Sequence, residues 1–257
     1  MQLDIFMAEV LGTMMLVLLG DGVVAGVLLA KTKGNQTTGV GNSNGWVVIT
    51  LAWGLAVFIG VVVAGPFSGA HINPAVTFGL VVNTVLSGGT LDFALFITYI
   101  AGQMVGAMIG AFLVFLHYYP HWAETEDPGL KLAVFSTAPA IRNVTWNFVS
   151  EVIGTFVLVF VVLTFGDNSG LAGLGPLSVG LLVVVIGMSL GPTTGYAINP
   201  ARDLGPRIMH AILPIPGKGG SDWEYSWIPV VGPLVGGAVA AIVYKFIFVE
   251  MVVKAVS

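Results

Sequence analysis

Two copies of the tripeptide Asn-Pro-Ala stand out for their chemistry, at Asn73, Pro74 and Ala75 and at Asn199, Pro200 and Ala201. Asparagine is favoured at the N-cap of a helix and proline at its first position, so each copy predicts a helix start. Each asparagine oxygen is expected to accept an N–H of the first turn, which leaves its NH2 group oriented and free to donate. We therefore predict two fixed donors, each beside a helix dipole end worth roughly half an elementary charge. Such a pair suits a neutral molecule that accepts hydrogen bonds, and it repels cations.

The four residues before each asparagine form a second matched pair of segments. Both segments sit between apolar stretches, where unpaired carbonyl groups are tolerated only if they line a polar cavity. We expect both to be extended, with their carbonyls forming a ladder of acceptors opposite the asparagine donors. The predicted pore-lining carbonyls are those of Gly69, Ala70, His71, Ile72, Gly195, Tyr196, Ala197 and Ile198.

The elements that must position these groups occur twice along the chain. AEVLGT at 8–13 returns as SEVIGT at 150–155, SGAHINPA at 68–75 as TGYAINPA at 194–201, and AGQMVGA at 101–107 as VGPLVGG at 231–237. Each half contains three apolar stretches and one short one. Three is an odd number, so the second half must enter a membrane from the opposite side. We predict one channel domain over 1–257, built from inverted repeats at about 1–120 and 146–257 that are joined by loop 118–145.

A membrane setting follows from composition. The chain has 257 residues, of which 56% are hydrophobic and 9% charged, whereas a soluble domain carries about 25% charged residues. Spanning helices need roughly 20 apolar residues. We predict six of them, at about 5–30, 47–65, 93–117, 146–166, 176–191 and 227–250, and the short fifth is expected to extend in both directions. Two half-spans are predicted at about 74–83 and 200–213. The predicted fold is an all-α membrane protein with six transmembrane helices and two re-entrant half-helices.

Several classes of function lack support. A net charge of −4 offers no basic patch for nucleic acid. Cysteine is absent and the four histidines are scattered, so no metal site and no cofactor are predicted. No nucleophile–base pair or phosphate loop is visible, and we do not expect an enzyme.

Two acidic residues, Glu9 and Glu151, lie well inside predicted spans and occupy equivalent positions in the two repeats. In an ion-coupled secondary transporter they would serve as ion or proton relays. We favour a supporting role instead, in which each carboxylate accepts backbone N–H groups of a re-entrant loop. Arg202, one turn into the second half-span, is costly in a membrane unless it faces a polar cavity.

The paired Asn-Pro-Ala boxes, within this repeat, make the whole chain similar to the aquaporin and aquaglyceroporin family. The resemblance implies a homotetramer with one pore per subunit, and a selectivity constriction formed by Trp53, Gly187, Tyr196 and Arg202. Water-selective members typically have phenylalanine and histidine at the first two of these positions, so Trp53 and Gly187 resemble the glycerol branch. Asp203, beside the arginine, fits that branch too and is expected to support its loop.

The resemblance therefore implies passive permeation of glycerol and water with exclusion of ions and protons. Glycerol facilitators often have phenylalanine in place of Tyr196, so water, dihydroxyacetone, urea, hydrogen peroxide or a protonated small organic acid remain alternative main solutes. It also implies a plasma-membrane location with cytoplasmic termini. Counting positive charges on the loops places the N-terminus outside instead, and the sequence does not resolve this conflict.

Overall fold

The structure is a computed structural model that describes residues 2–38, 44–166 and 174–256. Within these ranges the chain is helical and contains no strand. In chain order the helices are α1 (Gln2–Leu28), α2 (Lys33–Thr38), α3 (Asn44–Ser68), α4 (Pro74–Leu86), α5 (Phe93–His117), α6 (Tyr119–Glu124), α7 (Pro128–Phe135), α8 (Val144–Gly166), α9 (Gly175–Ser189), α10 (Pro200–Ile212), α11 (Ile228–Val243) and α12 (Val249–Val256). A π-helical turn at Tyr244–Phe248 joins the last two into one rod.

Five helical stretches in the described ranges are long and apolar enough to cross a membrane. They correspond to α1, α3, α5, α8 and the rod that contains α11. The fifth predicted span appears as α9, an apolar helix of 15 residues. Its expected extension beyond 191 is wrong, because the helix ends at Ser189 and a 3-10 turn follows at Gly191–Thr193. Pro192 within that turn has no N–H to continue an α-helix. In the other direction the helix begins at Gly175, one residue before the predicted start, and its N-cap is Leu174.

The inverted repeat is visible in the packing. Helix α5 packs on α1 as α11 packs on α8, and the half-helices cross over, with α10 against α5 and α4 against α11. Glycines allow equally close approach in both halves. A Cβ added to Gly106 would meet the carbonyl oxygen of Val10 at 2.3 Å, and one added to Gly236 would meet that of Val152 at 2.5 Å. Such small residues at helix contacts are typical of membrane bundles, and each closely packed helix pair supports the half-helix that belongs to the other half.

Candidate functional site

Both predicted helix starts are confirmed, and they lie close to each other. The oxygen of Asn73 accepts the N–H of Ala75 at 2.8 Å, and that of Asn199 accepts the N–H groups of Ala201 and Arg202 at 3.0 and 3.2 Å. Pro74 and Pro200 each occupy the first helical position. The two half-helices therefore begin tip to tip with their positive ends facing each other.

The asparagine amides are not wholly free, which differs from the sequence-based expectation. The NH2 group of Asn73 donates to the carbonyl of Ile198 at 2.8 Å, and that of Asn199 donates to the carbonyl of Ile72 at 2.9 Å. An amide has two donor hydrogens, so one on each asparagine ties the halves together and the other remains available as a donor. The same bonds engage two of the eight carbonyls that were predicted to line the pore.

The loops before the asparagines are not extended, contrary to the prediction. Backbone φ is +78° at Gly69, +55° at Ala70 and +43° at Ile72, and the equivalent Gly195, Tyr196 and Ile198 have +82°, +39° and +44°. Positive φ is uncommon outside glycine and is a genuine outlier for a branched residue such as isoleucine. Strain of this kind costs of order 1–3 kcal/mol per residue and persists only where the surroundings enforce it.

Two buried carboxylates enforce this conformation in matching ways. Glu9 accepts the N–H groups of His71 and Ile72 at 3.0 and 2.7 Å. Glu151 accepts those of Ala197 and Ile198 at 3.0 and 2.9 Å. Each carboxylate also accepts the hydroxyl that opens its loop, Ser68 Oγ at 2.5 Å and Thr194 Oγ1 at 2.7 Å. With their lone pairs directed at the loops, both acids have the supporting geometry that was expected rather than that of an open relay.

Arg202, three residues after Asn199, lies together with Trp53 of α3. The Arg202 guanidinium carbon lies 4.0 Å from the centre of the Trp53 ring, within the range of a cation–π contact. None of its side-chain N–H groups hydrogen-bonds another described residue, and its side chain is 10% exposed. Its nearest carboxylate oxygen belongs to Asp21, 3.9 Å from Nη1. The guanidinium therefore has a fixed position, and its N–H groups remain available as hydrogen-bond donors.

Gly187 does not leave an open space at the constriction, because Tyr196 occupies it. A Cβ on Gly187 would meet Cζ of Tyr196 at 2.8 Å and Cγ2 of Thr50 at 2.9 Å, and one on Gly191 would meet Cδ1 of the same tyrosine at 2.4 Å. The edge of Trp46 closes a third side, with ring centroids 6.0 Å apart. The tyrosine ring is thus held against α9, and the missing side chain at 187 is what makes room for it.

One cavity of about 140 Å³ brings most of the predicted residues together. On the same scale one water needs about 10–15 Å³, so the space suits a short file of waters or a small polyol. Trp53, Arg202, both asparagines and seven of the eight loop residues line it; Gly187 and Gly195 do not. The cavity also has apolar lining residues that were not predicted: Leu16, Val57, Val61, Val76, Leu158, Val162, Val179 and Val183.

Asp203 lies behind this cavity. It is fully buried and accepts the N–H and hydroxyl of Thr137 at 2.7 and 2.6 Å, and it pairs with Arg207 at 2.8 Å. The aspartate thus ties α10 to the loop between the two halves, which agrees with the supporting role expected for it.

Asp21 is the residue that sequence reasoning overlooked. It lies in the last third of α1 and is fully buried, and an ionisable side chain inside a membrane span is by default a sign of function. That rule would have found it beside Glu9 and Glu151. Trp46, in contrast, carries no local signal, because its contact with Tyr196 depends on how α3 packs against α9.

A helical membrane protein in which two capped half-helices meet beside a cavity lined by both polar and apolar residues has the architecture of a channel. The family model described as "Major intrinsic protein" matches residues 2–244, and the chain belongs to that family. Membership makes it a multi-pass membrane protein and points to a transporter rather than an enzyme.

Several glycerol uptake facilitators resemble the chain over most of its length. It is 55% identical over 239 residues to glycerol uptake facilitator protein 3 of Lactiplantibacillus plantarum, covering 93% of this chain and 95% of the relative. It is 53% identical to a probable glycerol uptake facilitator of Thermotoga maritima, covering 96% and 100% of the two chains. Among solved structures, the aquaglyceroporin from Plasmodium falciparum superposes with a TM-score of 0.82 at 30% identity, covering 99% of this chain and all of that one.

Proposed function

We propose that the protein is a passive channel for small uncharged solutes, with glycerol as the main solute and water also permeating. The observation that carries the proposal is the mixed lining of the cavity, in which seven loop residues, both asparagines and Arg202 share the space with eight aliphatic side chains. Glycerol has the same mixed character, with hydroxyl groups and C–H groups along one short chain. The names of the facilitator relatives support the same choice of solute.

The constriction residues divide the recognition between them. The Arg202 guanidinium donates to hydroxyl oxygens, and the Trp53 and Tyr196 rings pack against the C–H edge. Farther in, the second amide hydrogen of Asn73 and of Asn199 donates to an oxygen passing between them. That oxygen then points its own hydrogens outward along the file, which interrupts proton relay, and the two positive helix ends oppose cations.

Stopped-flow light scattering on proteoliposomes tests the solute. Water, glycerol, urea and a five-carbon polyol are compared on one preparation, with dihydroxyacetone, hydrogen peroxide and a protonated small acid as further solutes. We expect glycerol permeability well above that of empty vesicles and above that of the larger polyol. Glycerol flux no greater than in empty vesicles would refute the choice of solute, and a better-permeating neutral solute would replace it.

The same vesicles test passive transport against ion-coupled transport. Glu9 and Glu151 are held by loop N–H groups, which favours the passive reading. Glycerol flux is therefore expected to be unchanged when an uncoupler removes the proton gradient. Collapse of the flux without a gradient would instead identify a coupled transporter.

Replacing Arg202 with valine tests the constriction directly. Removal of the guanidinium is expected to weaken discrimination among polyols and to admit cations or protons. An unchanged profile of solute permeabilities would rule out the proposed filter role of Arg202.

We further propose a homotetramer in the plasma membrane with both termini cytoplasmic. The absence of cysteine makes the orientation easy to test, since Lys33→Cys and Lys254→Cys each introduce a single thiol. In intact cells a membrane-impermeant maleimide should label the first and spare the second, and the reverse pattern would invert the topology. The mass of the detergent-solubilised protein, measured by light scattering, tests the tetramer.

A further inference from the structure

Asp21 is an isolated acid in the interior of the bundle. Its exposure is 0%, and neither carboxylate oxygen has a hydrogen-bond partner. Burying an ionised carboxylate without compensation is costly. The carboxylate must therefore be explained by a charge nearby, and the cation within 4 Å of it is Arg202, whose Nη1 lies 3.9 Å from Oδ1.

The surroundings hold the pair in a fixed arrangement. Trp53 lies under the guanidinium, and its ring packs against Gly20, where an added Cβ would meet the ring at 2.4 Å. The residue next to Asp21 in α1 thus makes room for the ring on which Arg202 rests. Arg202 lines the cavity, whereas Asp21 does not. A solute can therefore reach the donors of the arginine but not the carboxylate behind it.

We propose that Asp21 is a counter-ion that cancels the positive charge of Arg202, so that the constriction offers hydrogen-bond donors without attracting anions. This inference rests on the channel function proposed above and adds a second specificity to it. Two positive half-helix ends and an unbalanced arginine would together form a concave site for small anions, since clefts lined by one sign of charge concentrate counter-ions. Asp21 cancels the largest of these charges, that of Arg202, and leaves the N–H groups of the guanidinium in place. The excluded class is small inorganic and carboxylate anions.

The first test replaces Asp21 with asparagine, which keeps the size of the side chain and removes its charge. Nitrate flux into proteoliposomes, driven by a potassium gradient with valinomycin, is expected to rise about tenfold or more, the scale by which charged clefts concentrate counter-ions. Glycerol flux is expected to persist, because the guanidinium remains. Thr13→Val is the matched control, since Thr13 is also buried in α1 with an unpartnered hydroxyl. That variant should leave nitrate excluded.

The second test uses the opposite imbalance. In Arg202→Val the carboxylate of Asp21 is left without its cation beside the enlarged opening, and we expect potassium or proton leak. Adding Asp21→Asn to that variant should abolish the leak. If Asp21 had only a structural role, adding Asp21→Asn would not abolish the leak, because a second destabilising substitution at the same place would not restore the exclusion of ions.

The outcomes separate this inference from the proposed function. Wild-type vesicles that fail to carry glycerol count against the function, whereas the nitrate and potassium measurements still report on the charge pair. Unchanged nitrate flux in Asp21→Asn, or a leak in Arg202→Val that persists after Asp21→Asn is added, would overturn the inference. If Asp21→Asn does not yield a monodisperse protein, Asp21→Ser serves as the second neutral variant with the same expected result.

Discussion

Placing a methyl group at position 187 is the most direct test of how Tyr196 shapes the constriction. In Gly187→Ala the new Cβ would lie 2.8 Å from Cζ of Tyr196 and 2.9 Å from Cγ2 of Thr50. Carbon atoms in contact prefer about 3.5–4.0 Å, so the ring must move by about 0.7–1.2 Å. Gly191 and Trp46 close its other sides. The ring is therefore expected to move toward the cavity.

This displacement should affect a polyol more than water. A ring displaced into the cavity narrows the path for the larger solute, and each 1.36 kcal/mol that this adds to the barrier slows passage about tenfold. We expect glycerol permeability to fall by about tenfold while water permeability falls by about twofold or less. Stopped-flow light scattering of both solutes on the same proteoliposomes measures the ratio.

Three companion variants make the result interpretable. Gly22→Ala adds a methyl to α1 where nothing lies within 4 Å, and it should leave both permeabilities unchanged. In Gly187→Ala/Tyr196→Ala the ring that the methyl displaces is absent, so this double variant should carry glycerol as fast as Tyr196→Ala alone. Equal losses of water and glycerol flux in Gly187→Ala, or slower glycerol flux in the double variant than in Tyr196→Ala, would refute this account of the constriction.

Three further results are expected. Glu151→Gln should lower the free energy of unfolding by about 2–4 kcal/mol, because a neutral amide cannot accept two backbone N–H groups and a hydroxyl as the carboxylate does. Thermal unfolding in detergent measures this loss, and an unchanged midpoint would contradict the supporting role of Glu151. Arg142→Ala removes an ion pair with Asp222 in which the arginine side chain is 52% exposed. It should lower the free energy of unfolding by no more than about 1 kcal/mol in the same assay, and a larger loss would be inconsistent with a solvent-screened pair. Mercurial reagents should leave glycerol flux intact because the chain has no cysteine, so inhibition would reveal another route to the pore.

Features that depend on a few neighbouring residues could be predicted from the sequence. The asparagine caps arise within one helical turn, since the acceptor and its donor are two or three residues apart. The spans follow from apolar length, and the repeat follows from matching segments such as 8–13 and 150–155. The supporting role of Glu9 and Glu151 could also be predicted from the sequence, because their equivalent positions in the two repeats assign each of them to one loop.

Features that depend on how the two halves dock needed the tertiary structure. The bonds from Asn73 to Ile198 and from Asn199 to Ile72 join residues more than 100 positions apart. They replace a donor that local reasoning left free. The left-handed backbone of the loops is likewise set by distant carboxylates, which offset a conformation that isoleucine disfavours in isolation.

The two Asn-Pro-Ala boxes therefore determined by themselves where each half-helix begins and which groups its first turn presents. Only the packed bundle decided what surrounds those groups: Tyr196 in the space beside Gly187, and Asp21 behind Arg202. The physical reason is the separation along the chain of the residues that interact. A cap is decided by bonds within one turn, whereas the width and the charge of a constriction are sums over side chains brought together from distant helices.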